Sequence, residues 1–466
     1  MLLKMLSGLL KRGPAGGARA DERETELDQL QRAARDNPRD PVARSNLCSA
    51  LNVLGRYEEA RREGEQARRL APGLAAAHHN FGLALLGLGR AEEAERALRR
   101  ARQLAPALAQ VSSALGHALR DQGRFDDALA AYDAALRIDP EFGDAIINRA
   151  QLLLLRGDYA RGWQAHEQRF EALGAASRAQ EGVTPWRGES LAGRTILVHG
   201  EQGVGDEVMY ASCIPDLAAK AGQVLFQCSD RLAPLFARSF EGVQVRAAGA
   251  ARRRGGPRPD LQVDIGSLPR FLRACAEDFP TRASWLVPDP GRVERWRGRL
   301  SGLGGRARVG ISWRGGAPAT RGPLRSVPLD ELEPLLRLDG VEFVSLQHPV
   351  PGAPEDEQDR IDALGVHQFD ATEDLDELAA LICALDLVVS VDNSNVHLAG
   401  ALGQDAWVLL PRSPDWRYGW SGEMMPWYAS LRLWRKAPRE GWPDVIRRVA
   451  DELSARDFAA ASKSRP

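Results

Sequence analysis

The sequence predicts an all-α hairpin array followed by two α/β domains, and three observations carry that α plus α/β reading. Pro38, Pro72, Pro106 and Pro140 recur every 34 residues, and Gly55, Gly89, Gly123 and Gly157 keep the same interval. Beyond about residue 185, short β-branched runs alternate with helical patterns, the grammar of a parallel sheet covered on both faces. The alternation comes in two series, parted by the polar, glycine-bearing stretch "VPDPGRVERWRGRLSGLGG", which reads as a hinge. At 466 residues the chain exceeds what one hydrophobic core supports, so several domains are expected.

Taken in order, "MLLKMLSGLLKRG" is apolar but interrupted by Lys4 and too short to span a bilayer, so residues 1–20 are expected to be a flexible, weakly amphipathic tail. Residues 21–174 carry the repeats. Ala60, Ala94, Ala128 and Gly162 fall in phase, where the two helices of a hairpin must approach closely, and each Pro closes a unit because it cannot continue a helix. In the last unit Arg169 stands where Ala67, Ala101 and Ala135 stand in the others, so this unit is expected to cap the array and join it to the first α/β domain. "RTILVH", "QVLFQC", "VQVRAA" and "DLQVDI" are the strands expected of that first α/β domain, over 185–290, the last of them following the Arg/Gly loop "GAARRRGGPRP". "ARVGISW", "VEFVSLQ", "LDLVVSV" and "AWVLLP" are those of a second domain over 306–455.

Composition narrows the chemistry. Lys plus Arg (62) nearly cancels Asp plus Glu (63), which gives no global electrostatic reason to expect nucleic acid. The five cysteines, Cys48, Cys213, Cys228, Cys275 and Cys383, lie far apart, so neither a zinc site nor a disulfide framework is indicated, and a cytoplasmic setting fits. No later stretch has the length of a transmembrane helix.

Three loops could carry chemistry. In "SVDNSNVHLAGALG" a strand ending near Val391 runs into Asp392, Asn393, Ser394 and Asn395, then a small-residue helix stopped by Gly403. Ligands collect at the carboxyl ends of parallel strands, and the unpaired N–H groups of a helix start stabilise an anion such as a diphosphate. His397 could donate to a phosphate or sugar hydroxyl; equally, the polar run could only cap the helix and His397 could pack internally. In "VHGEQGVGDEVMY" the glycines Gly203 and Gly205 permit close backbone approach, and Asp206 is either a helix cap or a carboxylate able to take a proton from an attacking hydroxyl. "GISWRGGAPATRGPLRSVPL" offers Arg314, Arg321 and Arg325, suited to phosphate oxygens or else to solvent. Asp374 and Asp376 in "TEDLDELAALI" resemble an acidic metal pair but sit in a first helical turn, where capping explains them, so no metal site is expected.

The 34-residue unit resembles the tetratricopeptide repeat. The remaining marks, "GEQGVGD", "GISW", "RSVPL", "VSLQ", "VDNSNVHLAGALG" and "PDWRYGW…PWYASLRLW", resemble the heptosyltransferase-like glycosyltransferase family nine, whose catalytic half is the two-Rossmann-domain GT-B type. That resemblance implies an inverting, metal-independent glycosyltransferase needing no cofactor, with a nucleotide-diphosphate sugar as donor substrate. Asp206 matches the family's catalytic base; Asp392, Asn393, Ser394 and His397 match its donor motif; and Gln347 matches a nucleotide contact. Trp313 and Arg314 replace the Lys-bearing loop of true heptosyltransferases, leaving Arg314 or Arg325 to offset the diphosphate charge. The family usually has Thr at the position of Asn393 and a small residue at that of Asn395. The repeats imply a concave face for a protein or peptide partner, and the acceptor would be a protein or glycan hydroxyl. Two further classes are open: a repeat scaffold with a degenerate transferase half that only binds nucleotide sugar, and a nucleotide-sugar epimerase.

Overall fold

The computed structural model describes residues 18–174, 177, 179–201, 203–249, 258–305, 307–315, 322–348 and 356–458. Most of the expected tail, Arg321 and most of the Arg/Gly loop lie outside the described residues. The chain divides into two compact units.

The first unit is helical. After a helix at Ala18–Asp36 come the hairpins Pro41–Val53 with Tyr57–Leu70, Ala75–Gly87 with Ala91–Leu104, and Ala109–Asp121 with Phe125–Ile138, then the helix Gly143–Leu155. The periodic glycines are where each hairpin turns: Gly55, Gly89, Gly123 and Gly157 have φ of 75°, 73°, 76° and 85°, which a β-carbon would oppose. Ala60, Ala94 and Ala128 are fully buried, as the close approach of paired helices demands.

The two units divide within the fourth hairpin. The end of its first helix, from Leu153, and its second helix, α1 (Tyr159–His166), belong to the other unit. Its Trp163 is 1% exposed, donates its indole N–H to the Arg273 carbonyl at 2.9 Å, and meets Tyr210, Trp416 and Trp427 edge-on. Arg169, the residue that broke the repeat pattern, is equally buried there. It grips both oxygens of Glu201 at 2.9 and 2.6 Å and donates to Ser267.

The rest of that unit holds two sheets. β1 (Thr184–Pro185), β2 (Thr195–His199), β3 (Gln223–Cys228), β4 (Val243–Ala247) and β5 (Leu261–Asp264) form a parallel sheet in the order β1-β5-β2-β3-β4. β6 (Ala307–Ser312), β7 (Val341–Ser345), β8 (Leu387–Val391), β9 (Ala406–Leu410), β10 (Met424–Met425) and β11 (Tyr428–Arg435) form the other, in the order β10-β11-β9-β8-β6-β7, with only β10 antiparallel. β8 and β9 are buried along their whole length, which is why they read as unbroken apolar runs. The order reverses at β2/β5 in the first sheet and at β6/β8 in the second, and such switch points open a crevice at the strands' carboxyl ends.

The stretch read as a hinge is instead a helix, α3 in chain order after α2 (Val204–Tyr210), spanning Pro290–Ser301. Asp289 caps it by accepting from Arg292 N at 2.9 Å, and Pro290 sits where no N–H is needed. Val293, Trp296 and Leu300 bury one face against α4 (Leu375–Ala384). Asp374 caps α4 through the N–H groups of Asp376 and Glu377, while Asp374 and Glu377 each take Arg292 at 2.9 Å. Of the two acidic residues that resembled a metal pair, Asp374 accepts from Arg292 and Asp376 accepts from Arg238.

Candidate functional site

Each switch point sends a strand into a helix, and the two helices meet. β2 leads through Gly200 and Glu201 into α2, whose N-cap is Gly203; β8 leads through Asp392 and Asn393 into α5 (Ser394–Ala401). Gly205 explains itself here. A β-carbon on it would lie 2.9 Å from His397 Cδ2 and 3.6 Å from Ser394 Cα, closer to the imidazole than side chains tolerate. Asp206 is thus not the cap of α2, because Gly203 holds that place, and its carboxylate faces the second sheet's loops.

Arg417 lies on a single helical turn, Trp416–Tyr418, after β9. Its Nε donates to Asp206 Oδ1 at 2.8 Å, its Nη2 donates to the same oxygen, and its Nη1 reaches Asp415 Oδ1 at 2.6 Å. The guanidinium also lies 4.6 Å from the Trp416 ring centroid. Burial would push the Arg417 guanidinium down, but Asp206 and Asp415 outweigh it and hold the group well above its usual range. Arg435 fixes the loop by donating to the carbonyls of Gly422 at 2.7 Å, Gly419 at 3.0 Å and Tyr418 at 2.7 Å.

Several residues expected at a donor site are occupied otherwise. Asp392 is 4% exposed, and both its oxygens are taken, Oδ1 by the Tyr418 hydroxyl at 2.8 Å and Oδ2 by Arg325 Nη1 at 2.9 Å. It ties the end of β8 to two loops. Asn393 is the N-cap: its Oδ1 accepts from Asn395 N at 3.0 Å, and its amide donates to Ser312 Oγ at 2.7 Å and the Arg314 carbonyl at 3.1 Å. The extra reach of Asn at this position therefore pins β6 to β8 across the switch point. Gln347 braces the same loop, its Oε1 accepting from Trp313 N at 3.2 Å and Arg314 N at 2.9 Å. Trp313 is a correction: the indole is 2% exposed within the second sheet's core and donates to Glu357 at 3.2 Å, because a strand-end position on the inner face carries it inward. Arg314 pairs with the same Glu357. The two arginines expected to offset a diphosphate are thus already matched with carboxylates. Ser394 is exposed at the first turn of α5, and Gly203 is exposed at the start of α2.

His397 is buried, with Nδ1 2.9 Å from the Tyr428 hydroxyl, so it packs internally. Burial, with Arg417 adding to it, pushes its imidazole down to about 4. The unfolded chain therefore binds this proton near pH 6.5 while the folded chain waits until about pH 4. Stability present above pH 6.5 is lost as pH falls through that window, by about 3 kcal/mol in all. Thermal unfolding followed from pH 7 to 4 is expected to have a flatter pH dependence in His397→Gln than in the wild type, and equal slopes would refute the assignment.

The residues that reasoning from sequence missed are Arg417, Tyr418, Asp415 and Tyr428. Their signal was present in "PDWRYGW" and "PWYASLRLW", used there only as marks of resemblance. Among the described residues no helix is long and apolar enough to cross a membrane.

The fold and site define a class: a helical repeat array joined to paired α/β sheets whose strand-end loops converge. Tetratricopeptide-repeat family models match residues 27–75 and 75–108, and a TPR repeat model matches 116–157, so the hairpins are tetratricopeptide repeats. Protein FlbA of Caulobacter vibrioides is 36% identical over 334 residues, 67% of this chain and 55% of FlbA. The chain thus spans about half the length of this curated relative. Among solved structures, Escherichia coli ADP-heptose LPS heptosyltransferase II overlaps 58% of this chain and all of its own, at 17% identity and a TM-score of 0.39. A thermophilic tetratricopeptide-repeat protein of Thermus thermophilus overlaps 37% of this chain and 89% of its own, at 20% identity and a TM-score of 0.32.

Proposed function

We propose that this chain is an inverting, metal-independent glycosyltransferase that moves a sugar from a nucleotide-diphosphate donor to a hydroxyl of a protein or glycan. The observation that carries the reading is the meeting of α2 and α5, one strand-to-helix turn from each sheet, with Gly205, the neighbour of Asp206, set against Ser394 and His397 in the first turn of the other. In this reading the donor diphosphate sits at the start of α5, near exposed Ser394, where helix N–H groups and the macrodipole favour an anion. The acceptor hydroxyl approaches Asp206. As its oxygen bonds to the anomeric carbon, the O–H proton passes to the carboxylate and the bond to the phosphate oxygen breaks, its electron pair leaving with the nucleoside diphosphate. Stabilising that departing charge is the larger contribution. The repeats recruit the acceptor or a protein partner through their concave face.

A thermal-shift screen of the full chain against nucleoside diphosphates and nucleotide sugars tests the donor half of this proposal. A ligand that binds only the folded state at 100 times its Kd stabilises it by about 2.7 kcal/mol, so at least one nucleotide is expected to raise the melting temperature by several degrees. No shift with any nucleotide at millimolar concentration would overturn it. The matched pairing of Arg314 and Arg325 favours one second reading, a nucleotide-sugar-binding scaffold without turnover. Shifts without release of nucleoside diphosphate, with or without acceptor, would select it.

A further inference from the structure

We infer that Arg417 is the positioning residue for the carboxylate of Asp206, selecting which of its two oxygens receives the proton and making the base competent only when both α/β halves are assembled. This rests on the reading of Asp206 as the proton acceptor.

Both Arg417 contacts to Asp206 fall on Oδ1. Among the described residues no hydrogen bond reaches Oδ2, and the Asp206 side chain keeps 19% of its surface exposed. One oxygen is therefore held from the second half of the unit while the other is presented outward. A carboxylate rotates freely about its last torsion unless something stops it, and two N–H donors on one oxygen do so. The clasp is itself held in place. Asp415 takes the remaining face of the guanidinium and caps the turn through Arg417 N at 3.1 Å, Trp416 covers it, and Arg435 fixes the loop carbonyls behind it. Arg417 would thus be in position before any substrate arrives, which is what makes such a contact useful to catalysis.

Charge points the same way. An arginine bound to one carboxylate alone would largely neutralise it, but Arg417 is shared with Asp415, so the trio carries a net negative charge and Asp206 keeps acceptor capacity. Trp416, which lies over the guanidinium, belongs to an edge-to-face aromatic cluster with Trp163, Tyr210 and Trp427, and an apolar wall of this kind strengthens the ion pairs beside it. Lysine cannot reproduce the grip. Its single ammonium lacks the planar fork that holds Asp206 and Asp415 at once.

The test uses the full chain and the nucleotide sugar giving the largest thermal shift, with nucleoside diphosphate release as the readout. Arg417→Gln is expected to lower kcat about 100-fold, the usual consequence of a displaced catalytic group, with donor KM changed less than about threefold. Arg417→Ala is expected to regain at least a tenth of the lost rate in tens of millimolar guanidinium chloride and none in equal sodium chloride. A raised KM at unchanged kcat would make Arg417 a donor contact and overturn the inference, as would absence of guanidinium rescue in a folded variant. Asp206→Asn separates the two claims: wild-type release there sinks the reading of the base, whereas loss of release there with full release in Arg417→Gln sinks only the clasp. Melting temperatures give a measure independent of turnover. Arg417→Gln is expected to cost less in the Asp206→Asn background than in the wild type, and strictly additive losses would mean that the two side chains do not act as a pair.

Discussion

Asp206→Asn is expected to reduce sugar transfer by about 1,000-fold, within the range for loss of a general base, while donor affinity stays within about twofold. The asymmetry follows from where the residue sits. Asp206 belongs to α2, whereas the proposed donor site belongs to α5 and the loops around β8, so the substitution removes proton acceptance without touching the groups that would hold the diphosphate. The variant should also fold. Asparagine can present its carbonyl oxygen to Arg417, and Arg417 keeps its 2.6 Å contact with Asp415, so no buried charge is left unmatched. Rates of nucleoside diphosphate release and donor dissociation constants, measured on the same preparation, decide the point. Equal losses in rate and affinity would mean that Asp206 shapes the pocket and takes no proton.

Much of this fold was legible because its signals are periodic or local. A 34-residue interval needs no partner to be seen, and the buried strands β8 and β9 announce themselves as apolar runs. The turn after β8 was legible too, since a polar run before a small-residue helix is a local pattern. What it does was not. Both oxygens of Asp392 are consumed by residues 26 and 67 positions away, and Asp206 meets an arginine 211 positions on. No spacing within a single sequence reveals a pairing across that distance. The hinge was misread for another reason. Val293, Trp296 and Leu300 have helical spacing and Asp289-Pro290 is a helix start, but the surrounding arginines and glycines dominated the composition. The glycine loop had the opposite fault. Gly205 reads from sequence as a residue that permits close backbone approach, and what approaches it is His397 of the same chain.

Arg169→Met carries the largest expected stability effect, a loss of about 3–5 kcal/mol from the unit containing both sheets, because it strands Glu201 as a buried carboxylate without its countercharge. Glu201 is 6% exposed, and with Arg169 gone its one remaining hydrogen bond among the described residues is from the Gly266 N–H at 2.7 Å, on the Oε1 that the arginine also held. Burial would push the Arg169 guanidinium down, yet Glu201 reverses this and raises it, so the pair is strongly matched in place. The converse prediction discriminates the mechanism. A paired replacement, Arg169→Met with Glu201→Leu, removes both charges and should recover most of the loss, since an apolar pair in the same space has no desolvation to offset. Denaturant midpoints of the single and double variants read this directly, and a double variant as unstable as the single one would mean that the Ser267 and Phe170 contacts of Arg169 matter more than its charge. Activity should follow stability only in part. Glu201 bridges β2 to β5 at the first switch point and lies on the segment leading to α2, so the double variant can be well folded yet leave Asp206 less firmly placed. A stable but slow double variant is therefore the expected outcome, and it would assign the fourth repeat's departure from its pattern to the site as well as to the fold.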